Sequence, residues 1–556
     1  MAEGYTLGVD LGSLSARAVI VRVWDGCVVA TGEEAYEHGV IEGSIGGIPI
    51  PEGMFLQKPG DFIRSLQKSV RKALQNGNVD PGEIMGIGVD ATSPTIIATD
   101  VLGKPILESH GLENHPFAQA LMWKSHASMR EVEDILELAR ERKEPFLAYT
   151  GKSMGSNLPI PKLLHLVRNA PKVYEAADRY FDLSDWIVKL LTGKDTMNDS
   201  TAGGKFFWRQ EAGFPSREFF SGLDGRLHNF LEKIPDPHQV IPAAECAGRL
   251  TQEGARLLGL LPGTVVSAGH VDAAAPLAFV GLNKPHVLFL SIGTSVSGYI
   301  VDPKLVRVEG IYGVLEDFPA KGLYAYEIGL QSFGDTLAWF VKNCCPEELT
   351  KGASKGEVFA RLNERAERLQ PCGSGLLALN WWNGNRSPLM DGDLSGVILG
   401  LTLNTKPEEI YRALAEAMAF NFRWIAEGLT DQGLAVHQVL AGGGIPMKNR
   451  FLMQLISDVL GKEVHVPKSG ELAAQGSAIF AAVAAGAYET LDQAVHAMGM
   501  KEKERYTPNL EHTRKYEKLY HLYVKLCQEL GKGESPLKRL GELRTQAKAG
   551  TEEERG

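Results

Sequence analysis

Residues 6–22 read TLGVDLGSLSARAVIVR: an apolar run holding a carboxylate, a Gly/Ser turn, an arginine and a second apolar run. Apolar runs on either side of so short a turn predict the two strands of a hairpin. Asp10 sits inside the first strand, where a carboxylate is costly unless paired, hydrogen-bonded or bound to a metal. Two readings meet that demand. In one, Asp10 only caps the turn. In the other, exposed backbone N–H groups of the turn hold a phosphate, and the acid beside them serves its Mg²⁺.

The pattern recurs. Residues 286–301, HVLFLSIGTSVSGYIV, again give a strand, a Gly/Thr/Ser turn and a β-branched return strand. Each copy opens one half of a 556-residue chain, a length beyond one ordinary core. Two α/β halves, each offering a phosphate-sized turn to one cleft, follow from the repeat. Around the first turn, TLGVD, RAVIVRVW and IMGIGVD alternate with the helical FIRSLQKSVRKAL, an arrangement of strands and crossover helices. Residues 125–235 are richer in helical patterns, among them SDWIVKLLTG, which closes at Gly193. In the second half, TKPEEIYRALAEAMAFNFRWIAEGL predicts a long helix with Pro407, Glu408 and Glu409 at its start. HQVLAGGGIPMKNRFLMQLISDVLG predicts a strand, three glycines and an amphipathic helix closed by Gly461. Three glycines there let backbone approach a ligand, with a plain tight turn as the alternative. The small-residue helix AAQGSAIFAAVAAG is expected to pack against that glycine loop.

Composition narrows the classes. With 44% apolar and 23% charged residues the chain reads as a soluble globular protein. A net charge of −10, with no long basic block before the C-terminal tail, argues against a nucleic-acid partner. The run AIFAAVAAGA from Ala478 is about ten residues and too short to span a bilayer, so no membrane partner is expected. No secretory signal is visible, and six cysteines without a CxxC pair give neither a disulfide framework nor a zinc site. Cys344 and Cys345 are read as structural, and the expected location is cytoplasmic. The expected domains are 1–268, 269–530 and a polar, solvated tail over 531–556, partly helical at best. The P-loop, the dinucleotide glycine pattern after a strand, the protein-kinase signatures and HExxH are all absent.

Taken in order and spacing, GVDLGSLSAR, SIGTSVSG and AGGGIPMKN resemble the two phosphate motifs and the adenosine motif of the actin-like ATPase superfamily. They are closest to its FGGY carbohydrate kinases. The segments GIGVDATSPT, WKSH, ADRYFDLSDWIVKLLTG, AGHVDAAAP, YEIGLQSFGDTLAWFV and LLALNWWNGNRSPLMDGDLSGVILGLTL extend the similarity over roughly residues 5 to 525, most strongly to family members that phosphorylate ribulose. The resemblance implies two actin-like, ribonuclease H-like domains with a catalytic cleft between them. It implies ATP and Mg²⁺ as cofactors, a sugar substrate (L-ribulose first) and a homodimer.

The same resemblance implies roles. The attacking hydroxyl must lose a proton as it meets the γ-phosphorus, and a carboxylate in reach can accept it; Asp272 in GHVDAAAP occupies the family's general-base position. Asp10 is expected to bind Mg²⁺, through water. Gly12, Ser13 and Ser15 form the first phosphate turn; Arg17 either approaches the phosphates or anchors the turn. Gly293, Thr294 and Ser295 form the second turn, while Gly334, Gly443, Gly444 and Asn449 lie along the adenosine. Lys205 and Glu327 lead the sugar-binding set, followed by Asp90, Thr92 and Ser93. Lys205 and Glu327 also suit a plain ion pair, and Trp123 either walls the sugar or belongs to the core.

Near the expected sugar pocket the chain departs from the family pattern. Ala91 and Pro94 stand where a Phe and a Cys are usual, Leu158 where a Trp is usual, and Gly204 replaces the aromatic before Lys205. Loss of bulk at Gly204 is expected to open the wall to a different or larger sugar, so another ketose or a polyol (D-ribulose, ribitol, xylulose) is the alternative substrate. A sugar- or nucleotide-sensing protein without turnover is the remaining alternative.

Overall fold

The hairpin expected at residues 6–22 forms: β1 (Tyr5–Leu11) and β2 (Ser15–Arg22) pair antiparallel, from Tyr5 opposite Arg22 to Leu11 opposite Ala16. The computed structural model describes residues 4–108, 111–150, 153–235, 239–501, 503–533 and 535–553. In it β1 is central to a six-stranded sheet. β3 (Val28–Ala35) lies antiparallel beyond β2, and β4 (Ile84–Ala91) lies parallel on the other side of β1. The edge strand β5 (Cys246–Arg249) is antiparallel to β6 (Val265–Val271), which runs parallel to β4.

The second half repeats this plan. β7 (Val287–Ile292) and β8 (Val296–Asp302) make the second hairpin, with β9 (Gly313–Glu316) and β10 (Tyr324–Leu330) continuing the antiparallel side. On the other side β11 (Gln438–Gly442) and β12 (Val464–Pro467) run parallel to β7, and β13 (Lys503–Tyr506) closes the edge antiparallel. In both sheets the opening hairpin sits mid-sheet, with antiparallel neighbours on one flank and parallel ones on the other. The likeness of the two turns is thus matched by a likeness of connectivity.

Parallel strands need crossovers. α1 (Pro59–Gly77) supplies one, with Pro59 in its first turn and left-handed Asn78 at its C-cap. With α2 (Leu183–Thr192) and α3 (Gln252–Leu258) it buries the outer face of the first sheet. Helices Pro407–Asp431, Arg450–Leu460 and Leu510–Leu530 cover the second sheet. Two helices, α4 (Pro276–Val280) and α5 (Leu472–Ala484), share one core with inward residues of both sheets, among them Val19, Val21, Phe289 and Leu440.

α5 is the small-residue helix, and its packing corrects the expectation. Its first residue meets the glycine strand end: a Cβ on Gly442 would lie 2.3 Å from Leu472 Cδ1. Its body crosses β1 and β4 of the first sheet. A Cβ on Gly8 would stand 1.8 Å from the Ala474 carbonyl oxygen, and one on Gly88 2.0 Å from that of Ser477. Side chains at those strand positions would push the helix away.

β6 crosses residue 268, so the first sheet runs on to Val271. Residues just before α1, from Ile45 to Leu56, and the chain between β4 and β5 together build a further core around a small four-stranded sheet and helices that include Met129–Arg142 and Pro159–Asn169. The tail differs from the solvated extension expected. Helix Pro536–Glu553 is anchored where it starts, by buried Leu537 and by Lys538 Nζ at 2.5 Å from Asp391 Oδ2; residues 534 and 554–556 lie outside the described set. Among the described residues no helix is long and apolar enough to cross a membrane.

Candidate active site

Parallel register builds the site. Asp10 on β1 lies opposite Asp90 on β4, and Asp90 lies opposite His270 on β6. The chain leaves β6 into Asp272, whose N–H donates to the Ala91 carbonyl at 3.0 Å, while the Thr92 N–H donates to the Leu11 carbonyl at 3.0 Å. Three carboxylates therefore meet at one end of the sheet. Asp90 is fully buried; its Oδ2 accepts a 2.6 Å bond from Ser477 of α5, and its Oδ1 has no protein partner. Burial, then the charge of Asp10, holds the Asp90 carboxyl well above the carboxylate range. Burial raises Asp10 against the pull of Arg17. Asp272 is pushed up to about 8, by burial first and Asp10 second, with Lys205 opposing.

The two turns are alike in geometry. Gly12 N–H donates to the Ser15 carbonyl at 3.0 Å, and Gly293 N–H to that of Ser295 at 2.9 Å. Ser15 Oγ donates to Glu33 Oε1 at 2.8 Å, and Arg17 reaches Glu33 at 3.1 Å and Asp10 at 3.8 Å. Arg17 thereby ties the turn to β3, with its side chain 42% exposed. In the second half, Gly293, Gly334 and Gly443 converge. A Cβ on Gly334 would lie 2.8 Å from the Gly293 carbonyl oxygen, and left-handed Gly443 (φ 104°) would put one 2.6 Å from that of Ile292. Thr294 and Gly444 are exposed beside them. The Asn449 side chain caps the helix Arg450–Leu460 by accepting from Leu452 N–H at 3.1 Å and donates to Asn363 at 3.2 Å. The start of α5 bridges the halves here, because Glu471 feels the charges of Arg17 and Asp10, and Leu472 touches Gly442.

A second wall is polar and largely buried. Lys205 Nζ lies 3.5 Å from Glu327 Oε2 on β10, and Arg386 contacts the other oxygen, Oε1. The ring of Tyr312 has the Arg386 guanidinium 4.0 Å from its centre and Lys205 Nζ at 5.4 Å. Burial raises the Glu327 carboxyl, but the two cations outweigh it and hold it below its usual value. Two cations against one carboxylate leave this wall with spare donors. Arg386 lies in the NWWNGNRSP stretch and carried no expected role; its only signal was an arginine in an otherwise uncharged run.

Trp123 is half-buried and tied to the first turn, its Nε1 donating to Ser13 Oγ at 3.0 Å. It is not a core tryptophan. Its carbonyl accepts from Asn157 Nδ2 at 3.0 Å, and Asn157 Oδ1 accepts from Tyr312 at 2.5 Å. Ser93 Oγ donates to Asp182 Oδ2 at 2.9 Å; burial pushes that carboxyl up to about 7, with Ser93, Lys205 and Lys162 opposing. Thr92 Oγ1 is 3.4 Å from Thr95 Oγ1. Lys162, also unforeseen, clamps both loops: its buried Nζ donates to the Pro94 carbonyl at 2.7 Å and that of Met122 at 2.8 Å. The opening expected at Gly204 is absent, since a Cβ there would lie 2.3 Å from Leu315 Cδ2. Buried Leu315 fills the space.

Comparison with known proteins places this geometry. Residues 5–279 match the model of the N-terminal domain of the FGGY family of carbohydrate kinases, and residues 288–485 match that of its C-terminal domain. A protein of Halalkalibacterium halodurans named ribulokinase is 40% identical over 98% of this chain and 98% of its own. One of the same name from Geobacillus thermodenitrificans is 38% identical over 99% of both. Among solved structures, a xylulose kinase from Rhodospirillum rubrum aligns with a TM-score of 0.76 at 23% identity, over 95% of this chain and 99% of that one. At that identity the likeness concerns the fold.

Proposed function

Because the chain belongs to the FGGY family of carbohydrate kinases through both of its halves, we propose that this ATP-dependent sugar kinase acts on ribulose, L-ribulose first, giving ribulose 5-phosphate. The observation that carries the reading is the position of Asp272. It stands at the end of β6, beside Asp10 and Asp90 and within electrostatic reach of Lys205. An acid so raised takes up a proton readily and suits the general base of hydroxyl phosphorylation.

The roles follow from the chemistry. Asp272 accepts the proton of the attacking hydroxyl. Lys205, Glu327 and Arg386 offer charge-assisted hydrogen bonds to a polyhydroxylated ligand, with Trp123 as an apolar wall and Thr92 and Ser93 nearby. Gly12, Ser13, Gly293, Thr294 and Ser295 present the N–H and hydroxyl donors that phosphates need, and Gly334, Gly443 and Gly444 leave room for the adenosine. Asp10 and Asp90 fit a divalent cation: three carboxyls are raised together, and one buried oxygen of Asp90 lacks a partner. Asp10 would hold Mg²⁺, through water, and the ion would supply charge neutralisation at the phosphates. A cytoplasmic location and a homodimer complete the reading.

The second reading, another ketose or a polyol, is favoured by the different wall: Leu158, Ala91, Pro94, and Leu315 in the place of bulk at residue 204. One experiment separates the readings. ADP release is followed with ATP and Mg²⁺ for L- and D-ribulose, xylulose and ribitol, in the wild type and in Asp272→Asn. Strong turnover on L-ribulose, reduced about 10²–10⁴-fold in the variant, is the expected result. Preference for another sugar with the same loss supports the second reading. ATP binding with silence on every sugar overturns both and leaves a sensor.

A further inference from the structure

The second half carries an apolar ridge that the site does not use. The strand Val397–Leu399 pairs antiparallel with Leu377–Leu379 on one side and has no partner on the other among the described residues. Its outward residue Leu399 is 42% exposed, and Leu401 and Leu403 beyond it are 55% exposed and fully exposed. The ridge continues into aromatic surface. Trp382 packs under Gly396, where a Cβ would lie 2.5 Å from its ring, and exposed Trp339 lies 5.2 Å from Trp382, centre to centre. Scattered exposed leucines need no explanation, but a contiguous row of three backed by two tryptophans marks an interface.

The charge pattern says what covers it. From Leu394 to Thr405 there is no charged residue; exposed Asp393 flanks the ridge at one end and exposed Lys406 at the other. When two such ridges meet antiparallel about a two-fold axis, leucines face leucines and each Asp393 falls beside the other copy's Lys406. A surface that is apolar in the middle and oppositely charged at its ends is complementary to itself. We propose that the ridge Leu399–Leu403, with Trp339 and Trp382, is the docking surface for a second copy of this chain. The inference rests on the homodimer reading above and gives it a place, on the second half and away from the acids of the cleft.

Sedimentation velocity and light scattering on the full chain test it. The wild type is expected to be a dimer at micromolar concentration. Leu401→Glu/Leu403→Glu is expected to weaken self-association about a hundredfold or more, because like charges then face each other across the axis, while sugar-dependent ADP release persists. A wild type that stays monomeric overturns the homodimer itself. A wild-type dimer that the double variant leaves intact overturns this surface alone. Should the charged variant fail to fold, Leu401→Cys decides. Near the axis it is expected to form an intermolecular disulfide on mild oxidation at a yield well above that of the parent chain, and no gain over the parent overturns the proposal.

Discussion

At Asp272 burial and then the charge of Asp10 push the carboxyl up to about 8, while the Ala273 N–H and the charge of Lys205 pull it down. A general base works only when deprotonated, so sugar-dependent kcat/KM is expected to rise with pH along a limb set by this group. Lys205→Met removes the opposing cation. The sign is then fixed: Asp272 rises further, and the limb moves to higher pH, besides the weaker sugar binding. A limb that stays in place in Lys205→Met, measured across pH 5–10, would sink the assignment of the limb to Asp272. Some of this was legible at the level of single residues. Asp10 announced itself as a carboxylate inside an apolar strand, and Asp272 by resemblance. Arg386 and Lys162 did not, because their meaning lies in partners remote in sequence: Glu327 for one, the Pro94 and Met122 carbonyls for the other. Gly204 misled for the same reason. A glycine shows lost bulk, but not that Leu315, from a strand far along the chain, occupies it.

Among elements, α5 shows how far pattern reaches. Its run of small residues predicts close packing, and close packing is found, but small residues do not specify the surface they meet. The match is with Gly8 and Gly88 in strands of the other half, which read in sequence as ordinary strand glycines. Gly88→Ala tests the fit. Its new Cβ would lie 2.0 Å from the Ser477 carbonyl oxygen, so the helix must shift or the strand must bend, at a cost of about 1–3 kcal/mol. Urea unfolding is expected to show that loss in the midpoint. Because Ser477 Oγ is also the donor to Asp90, the same shift is expected to lower kcat. The paired turns were the more legible elements, since a hairpin is local and its glycines, hydroxyls and flanking strands sit within one short window.

For the whole molecule, the return of α5 to the first sheet sets a limit on how independent the halves are. Parallel strands β1, β4 and β6 need cover on both faces. α1, α2 and α3 cover one, but the other is closed by α4 and by α5, which arrives from near the end of the chain. No single cut along the sequence therefore separates two complete cores, although the two family domains follow one another in order. A fragment of residues 1–286 would keep α4 but lose α5, leaving the face of Val19, Val21 and Val271 only partly covered and Asp90 buried without Ser477. Unpaired buried carboxyls and exposed apolar strands both oppose folding. The fragment alone is expected to lack a cooperative urea transition and to be cleaved rapidly by protease. Co-expression with residues 287–556, which carry α5, is expected to restore protease resistance and sugar-dependent ADP release in the purified pair. A sharp, two-state transition of 1–286 by itself would show that the first sheet needs no helix from the second half, and α5 would then be a link between lobes with no structural share in the first.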